Sequence, residues 1–180
     1  MPDLVRITDK MLRQAREYQK KIELSKTVRR RANYTTVQVA ERYFIGYLGE
    51  LVLADVLESY QIKFTHQINT KGKPVDHKFR LSMPHDSGYI TMNPVTASDK
   101  RHNFMVVPRD KFARDTCQAY AAIKLILDEG FAEVFGYFWR HQLPGRGLSE
   151  IKYGVQVYAL PLYMAEPIFS MTELTQRSAT

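Results

Sequence analysis

The chain of 180 residues has one cysteine, Cys117, and one tryptophan. A lone thiol excludes an internal disulfide and a cysteine metal cluster, and it suits a reducing, cytoplasmic setting. Cys117 stands close to Ala119, Ala121 and Ala122, which predicts a buried structural thiol rather than a nucleophile. No run approaches the roughly 18 apolar residues of a membrane span. The opening MPDLVRITDKMLRQ has no apolar stretch of signal-peptide type. Internal repeats and low-complexity segments are also missing. The chain has no G-x-G-x-x-G, no G-x-x-x-x-G-K-[ST] and no G-x-S-x-G, so nothing supports a nucleotide-phosphate loop or a nucleophile elbow. The histidines, His66, His77, His85, His102 and His141, show neither H-E-x-x-H nor H-x-x-x-H spacing. Only His77, His85 and His102 are placed to converge on a zinc ion.

The composition is 44% hydrophobic and 25% charged, enough apolar material for one core. A single domain spanning 1–180 is the expectation at this length. Lys and Arg number 26 against 19 Asp and Glu, a net +7, which favours a polyanionic partner. Residues 1–32 hold ten basic and four acidic residues, so +6 of the +7 lies there.

Residues 7–25 read as an amphipathic helix with an apolar stripe of Ile7, Met11, Leu12, Ala15, Tyr18 and Ile22. Thr8 or Asp9 can cap it. Its other face carries Lys10, Arg13, Arg16, Lys20 and Lys21, and Arg29-Arg30-Arg31 follows in a linker. With the stripe modest and lacking Trp and Phe, packing on the domain is preferred to lying on a membrane. Thr35-x-x-Gln38 has capping-box spacing and opens a second helix running to Glu58. Gly46 and Gly49 within it suggest close packing, since each costs about 1 kcal/mol against Ala. Beyond Lys63 the period becomes that of strands: 63–66, then a hairpin of 77–83 and 89–96, then 104–107, 119–127, 132–140 and 155–161. A helical turn at 110–115 and a short C-terminal element ending near Leu174 complete the chain. Helices followed by strands predict an α/β or α+β sandwich, with helices flanking a mixed sheet.

The run Gly46-Tyr47-Leu48-Gly49-Glu50-Leu51, then Asp76 at a strand entry, then a hairpin leading to Asn93-Pro94-Val95-Thr96-Ala97-Ser98, resembles the PD-(D/E)XK, or restriction-endonuclease-like, superfamily over roughly residues 40–165. The resemblance implies a three-layer sandwich and magnesium-dependent phosphodiester hydrolysis, in which carboxylates hold the ion and a lysine two residues on assists. Asp76 then matches the first carboxylate and Glu50 the helix glutamate, both as metal ligands. Asn93, at the second catalytic carboxylate's place, brings no charge. Val95, at the lysine's place, can neither donate a hydrogen bond nor carry positive charge. Pro94 is awkward in a central strand, since it removes a ladder hydrogen bond: either the strand bulges there or the match is out of register.

Such a site binds magnesium weakly or not at all. The expected function is a nuclease-like nucleic-acid-binding protein, with DNA as the polyanion and hydrolysis lost or weakened. Arg29, Arg30, Arg31, Lys20, Lys21, Lys100 and Arg101 are the candidate phosphate contacts, with Tyr34 beside the arm able to stack on a base. Two other readings stay open. One is an active magnesium-dependent endonuclease with displaced ligands, such as Asp86, Asp99 and Lys100. The other is a scaffold or interaction protein, dimeric through the apolar strand near Phe135–Trp139. Glu50 also has a purely structural explanation, as a partner of Arg42 or Lys63, and Asp76 another, as a strand-entry residue.

Overall fold

The structure, a computed structural model, describes residues 1–24, 36–68, 78–82, 88–98, 103–146, 148–152 and 155–176. It begins with β1 (Asp3–Arg6), α1 (Asp9–Leu24) and α2 (Thr36–Ser59). The strands β2 (Phe64–His66), β3 (Phe79–Ser82), β4 (Tyr89–Ala97) and β5 (Phe104–Pro108) lead to α3 (Arg109–Arg114). Next come β6 (Ala119–Ile126), β7 (Phe131–Trp139), α4 (Leu143–Arg146), β8 (Leu148–Lys152), β9 (Val155–Pro161) and α5 (Ser170–Gln176).

α1 forms where its pattern places it. Thr8 Oγ1 accepts from the Met11 amide at 3.2 Å, capping the first turn. Asp9 and Lys21 sit at the ends that suit their charges. Met11, Ala15 and Ile22 are buried, while Lys10, Arg13, Arg16, Lys20 and Lys21 are exposed. α2 is more deeply covered. Phe44, Tyr47, Leu48, Val52, Leu53, Val56 and Leu57 are all buried, each contributing about 1.5–3 kcal/mol by leaving water. α2 packs on β4 and β6, with α1 against it. Gly49 makes that seat possible, because a Cβ there would collide with the Thr96 side chain on β4. Gly46 has nothing within 4 Å, so close packing explains only one of the two glycines.

Six strands form a mixed sheet in the order β1-β7-β6-β4-β3-β2. Only β4 and β6 are parallel; the other neighbours are antiparallel. A second, antiparallel sheet has the order β5-β9-β8. One core lies between α1, α2 and the six-stranded sheet. A smaller one lies on the opposite face, where Met105, Val107 and Leu160 meet Tyr120, Ala122 and Phe138. The chain is therefore mixed α+β, with helices on one face of a mixed sheet and a smaller sheet on the other.

Three features differ from expectation. β1 precedes the first helix and pairs with β7, although only Val5 of its four residues is buried. β8 adds a strand to a second sheet that the pattern did not separate from the first. A helical turn, α4 at Leu143–Arg146, lies between β7 and β8 where the pattern marked no element. Pro94 is accommodated because the described ladder between β3 and β4 ends at Phe79↔Met92, two residues before it. β4 stays paired with β6 as far as Ala97↔Lys124. β7 lies between β1 and β6, with Tyr137 and Phe138 buried, so the protein's own cores use much of the apolar strand expected at a dimer contact.

Candidate functional site

The end of the β3–β4 ladder is a fork. At the pair beyond Phe79↔Met92, a side chain replaces the backbone bond: the Lys78 amide donates to Asn93 Oδ1 at 2.7 Å. On its other side β3 remains tied to the β2 end, where the Gln67 amide donates to the Lys78 carbonyl at 2.7 Å. The described β3–β4 register ends one pair before Asn93, and Asn93 is only 4% exposed.

Glu50 reaches the fork from α2. Its Oε1 lies 3.1 Å from Lys78 Nζ and its Oε2 lies 2.9 Å from His66 Nε2. Both carboxylate oxygens are engaged, and the residue is buried. His66 is held flat by stacking on Phe79 at 4.5 Å and on Tyr47 at 6.1 Å. Tyr47 in turn stacks on Tyr18 of α1 at 4.3 Å. The column thus links the apolar face of α1 through α2 to His66. Burial, and then the Glu50 charge, push the Tyr18 and Tyr47 phenols above their ordinary range.

On its far side Asn93 donates through Nδ2 to Asp115 Oδ2 at 3.2 Å. The same oxygen lies 2.6 Å from Lys111 Nζ and accepts from the Tyr120 hydroxyl at 3.2 Å. Asp115 follows directly on α3, its amide bonded to the Lys111 carbonyl. Burial raises the Tyr120 phenol, as do Cys117 and Asp115, so it stays protonated as a donor. Cys117 is 1% exposed, and burial, followed by Asp115, pushes its thiol up to about 11. It is the structural thiol its neighbours predict.

Of the expected site residues, the fold links Glu50 and Asn93 through Lys78. Val95 lines the smaller core and is apolar, as its sequence position implied. Lys20 and Lys21 are exposed. Asp76, Arg29, Arg30, Arg31, Tyr34, Lys100, Arg101, Asp86, Asp99, His77, His85 and His102 lie outside the described residues. The partners found for Glu50 are Lys78 and His66 rather than Arg42 or Lys63; Lys63 and Arg42 are exposed, whereas residue 50 faces the β2–β3 end.

Sequence reasoning missed Lys78, His66, Lys111 and Asp115. Lys78 stands two residues beyond Asp76, and Lys111 and Asp115 are four apart, a helical ion-pair spacing; those were the available signals. Nothing in the pattern marked His66. Among the described residues no three His, Cys, Asp or Glu side chains are grouped to share a metal ion, and no helix is long and apolar enough to cross a membrane. No family model, curated protein or solved structure matches this chain.

Proposed function

We propose that the protein is a nuclease-like nucleic-acid-binding protein of restriction-endonuclease-like fold, with metal-dependent phosphodiester hydrolysis lost or weakened. The observation that carries this reading is the fork at Asn93. A helix glutamate, Glu50, meets the end of the described β3–β4 ladder through Lys78, the type of place where a nuclease of this kind assembles its metal and scissile phosphate. The order of α2, hairpin and then parallel β6 supports the same fold.

The residues at the fork are those of a site that has given up hydrolysis. Asn93 is neutral, Val95 is apolar, and the Glu50 carboxylate is spent on Lys78 and His66. The basic face of α1 supports the retained property, contact with a polyanion. It is exposed. DNA is the polyanion proposed, and the single buried thiol suits a cytoplasmic protein.

The test incubates the protein with plasmid and with single-stranded DNA, with and without magnesium or manganese. Binding that weakens steeply with salt and leaves the DNA intact is the expected result. Magnesium-dependent cleavage abolished by Asp76→Ala would overturn the loss of hydrolysis and favour displaced ligands. No binding at all would favour the scaffold.

A further inference from the structure

We infer that Arg109 and Arg140, held against the rings of Tyr158 and Phe112, contact phosphates, and that a nucleic-acid strand crosses the protein along this ladder at α3. This rests on the nucleic-acid reading and gives it a contact surface on named residues.

The ladder draws on three elements. Arg109 and Phe112 belong to α3, Tyr158 to β9, and Arg140 follows directly on β7. The Arg109 guanidinium lies 5.0 Å from the centre of the Tyr158 ring. The Tyr158 and Phe112 rings meet edge to face at 5.0 Å. The Arg140 guanidinium lies 4.3 Å from the centre of the Phe112 ring. The four side chains are therefore one continuous run of contacts with a cation at each end. All four are half-buried, and α3 has no fully buried residue. Phe112 and Tyr158 pack on the smaller core, so the ladder lies along that core's outer margin.

Each cation is held by bonds as well as by its ring. Arg140 Nη2 donates to the Phe112 carbonyl at 2.9 Å, and the Arg140 amide donates to the Gln118 carbonyl at 2.8 Å. Arg109 Nη1 donates to Gln156 Oε1 at 3.2 Å. A guanidinium has five N–H donors, and Arg140 gives one of them to a described atom. The two acids at the ends of α3 are engaged with other cations, Asp110 with Arg114 at 3.0 Å and Asp115 with Lys111 at 2.6 Å. Stacking on a ring fixes the plane of a guanidinium, and its fork of donors matches a pair of phosphate oxygens. Cations interleaved with aromatic rings are the kind of surface that follows a nucleic-acid backbone.

Bonds tie the ladder to the part of β4 that holds Asn93. Phe112 stands one turn before Asp115, which accepts from Asn93 Nδ2. Gln118, whose carbonyl receives the Arg140 amide, accepts the Thr91 amide on its side-chain Oε1 at 2.8 Å. A strand lying on the ladder is thus next to the proposed nuclease-like site on the smaller-core face of the sheet.

Two measurements test this. The first follows a fluorescent single-stranded oligonucleotide by anisotropy over a salt series. Arg109→Met and Arg140→Met keep apolar contact and remove the charge. Each should weaken binding several-fold and lower the salt slope by about one, whereas Arg140→Lys should retain the slope. Arg114→Met is the comparison: Arg114 lies on the same helix, is 64% exposed and pairs with Asp110, and its variant should bind as wild type. Ladder variants that bind as wild type, while wild type binds in the usual salt-dependent way, would overturn the ladder and leave the nucleic-acid reading standing. Equal losses in all three Met variants would also overturn it, because general surface charge would then hold the strand. An oligonucleotide that does not bind at all overturns both.

The second needs no variant. Wild type is treated with phenylglyoxal, which modifies accessible guanidinium groups, with and without the oligonucleotide, and the modified arginines are located by mass spectrometry. The bound strand should protect Arg109 and Arg140 and leave Arg114 reactive. No difference at Arg140 between the two samples would overturn the inference, even if Arg140→Met fails to fold.

Discussion

Gly46 and Gly49 lie about one turn apart on α2, and their surroundings differ. Position 49 presses on Thr96 of β4, while position 46 has open space around it. A methyl group at 49 forces the helix off the sheet or Thr96 out of place, so Gly49→Ala should cost about 1–3 kcal/mol. Gly46→Ala meets nothing and removes backbone freedom from the unfolded chain, so it should add up to about 1 kcal/mol. Urea midpoints of the two variants, moving in opposite directions, are the check. Cys117 gives a second prediction at this scale. With its thiol buried and raised to about 11, it should be inert to a disulfide reagent at neutral pH and react in full once urea unfolds the chain. Rapid labelling of the native protein would contradict its place in the smaller core. The chemistry of Asn93 also belongs here. Asp115 Oδ2 needs donors, and Asn93 Nδ2 is one of three that converge on it. An acid at position 93 would set two carboxylates against each other, so the neutral amide fits the partners it has.

At the scale of elements, the Glu50–Lys78 pair fastens α2 to β3 at the edge of the main core. Removing one member of a largely buried pair leaves the other uncompensated, so Glu50→Ala should cost about 3 kcal/mol. Replacing both, Glu50→Leu with Lys78→Met, should recover much of that loss. A double-mutant cycle from denaturant unfolding measures the coupling, and additive costs would mean that the pair contributes nothing. These elements were unequally legible in the sequence. The stripe from Ile7 to Ile22 and the apolar runs of β6 and β7 repeat over enough residues to declare their period. β1 does not, since one buried residue, Val5, makes no period, and its pairing with β7 depends on a partner more than 120 positions away. Nor can alternation tell which sheet a strand joins: Tyr120 and Leu160 are both buried, yet they come from different sheets that face each other. At the site, Glu50 and Asn93 could be named from position. Their partners could not, because strand register brings Lys78 to Asn93 across 15 residues, and a turn after α3 brings Asp115 across 22.

For the whole molecule, the two cores share a dependence on pH that follows from their tyrosines. Tyr18 and Tyr47 line the helix side, Tyr120 fills the smaller core, and Tyr137 sits in the sheet with its hydroxyl 3.2 Å from Ser170 Oγ. Burial is the largest cause in each, and it raises all four phenols above the ordinary value of 10.0, with Tyr137 pushed up to about 12. Because the folded values lie above the unfolded one, the fold favours the neutral phenol. The stability this gives is present in full below pH 10 and is lost as pH climbs from 10 towards 12, each tenfold difference in proton affinity being worth about 1.4 kcal/mol. Both cores contain such groups, so the loss should not be confined to one layer. Phenolate absorbance measured against pH should show these four buried phenols ionising above pH 10, in a steep step that coincides with the loss of helical circular dichroism. If all the tyrosines titrated together near pH 10 with the helices intact, the rings would be in contact with water, and the aromatic column joining α1 to the fork would not exist in solution.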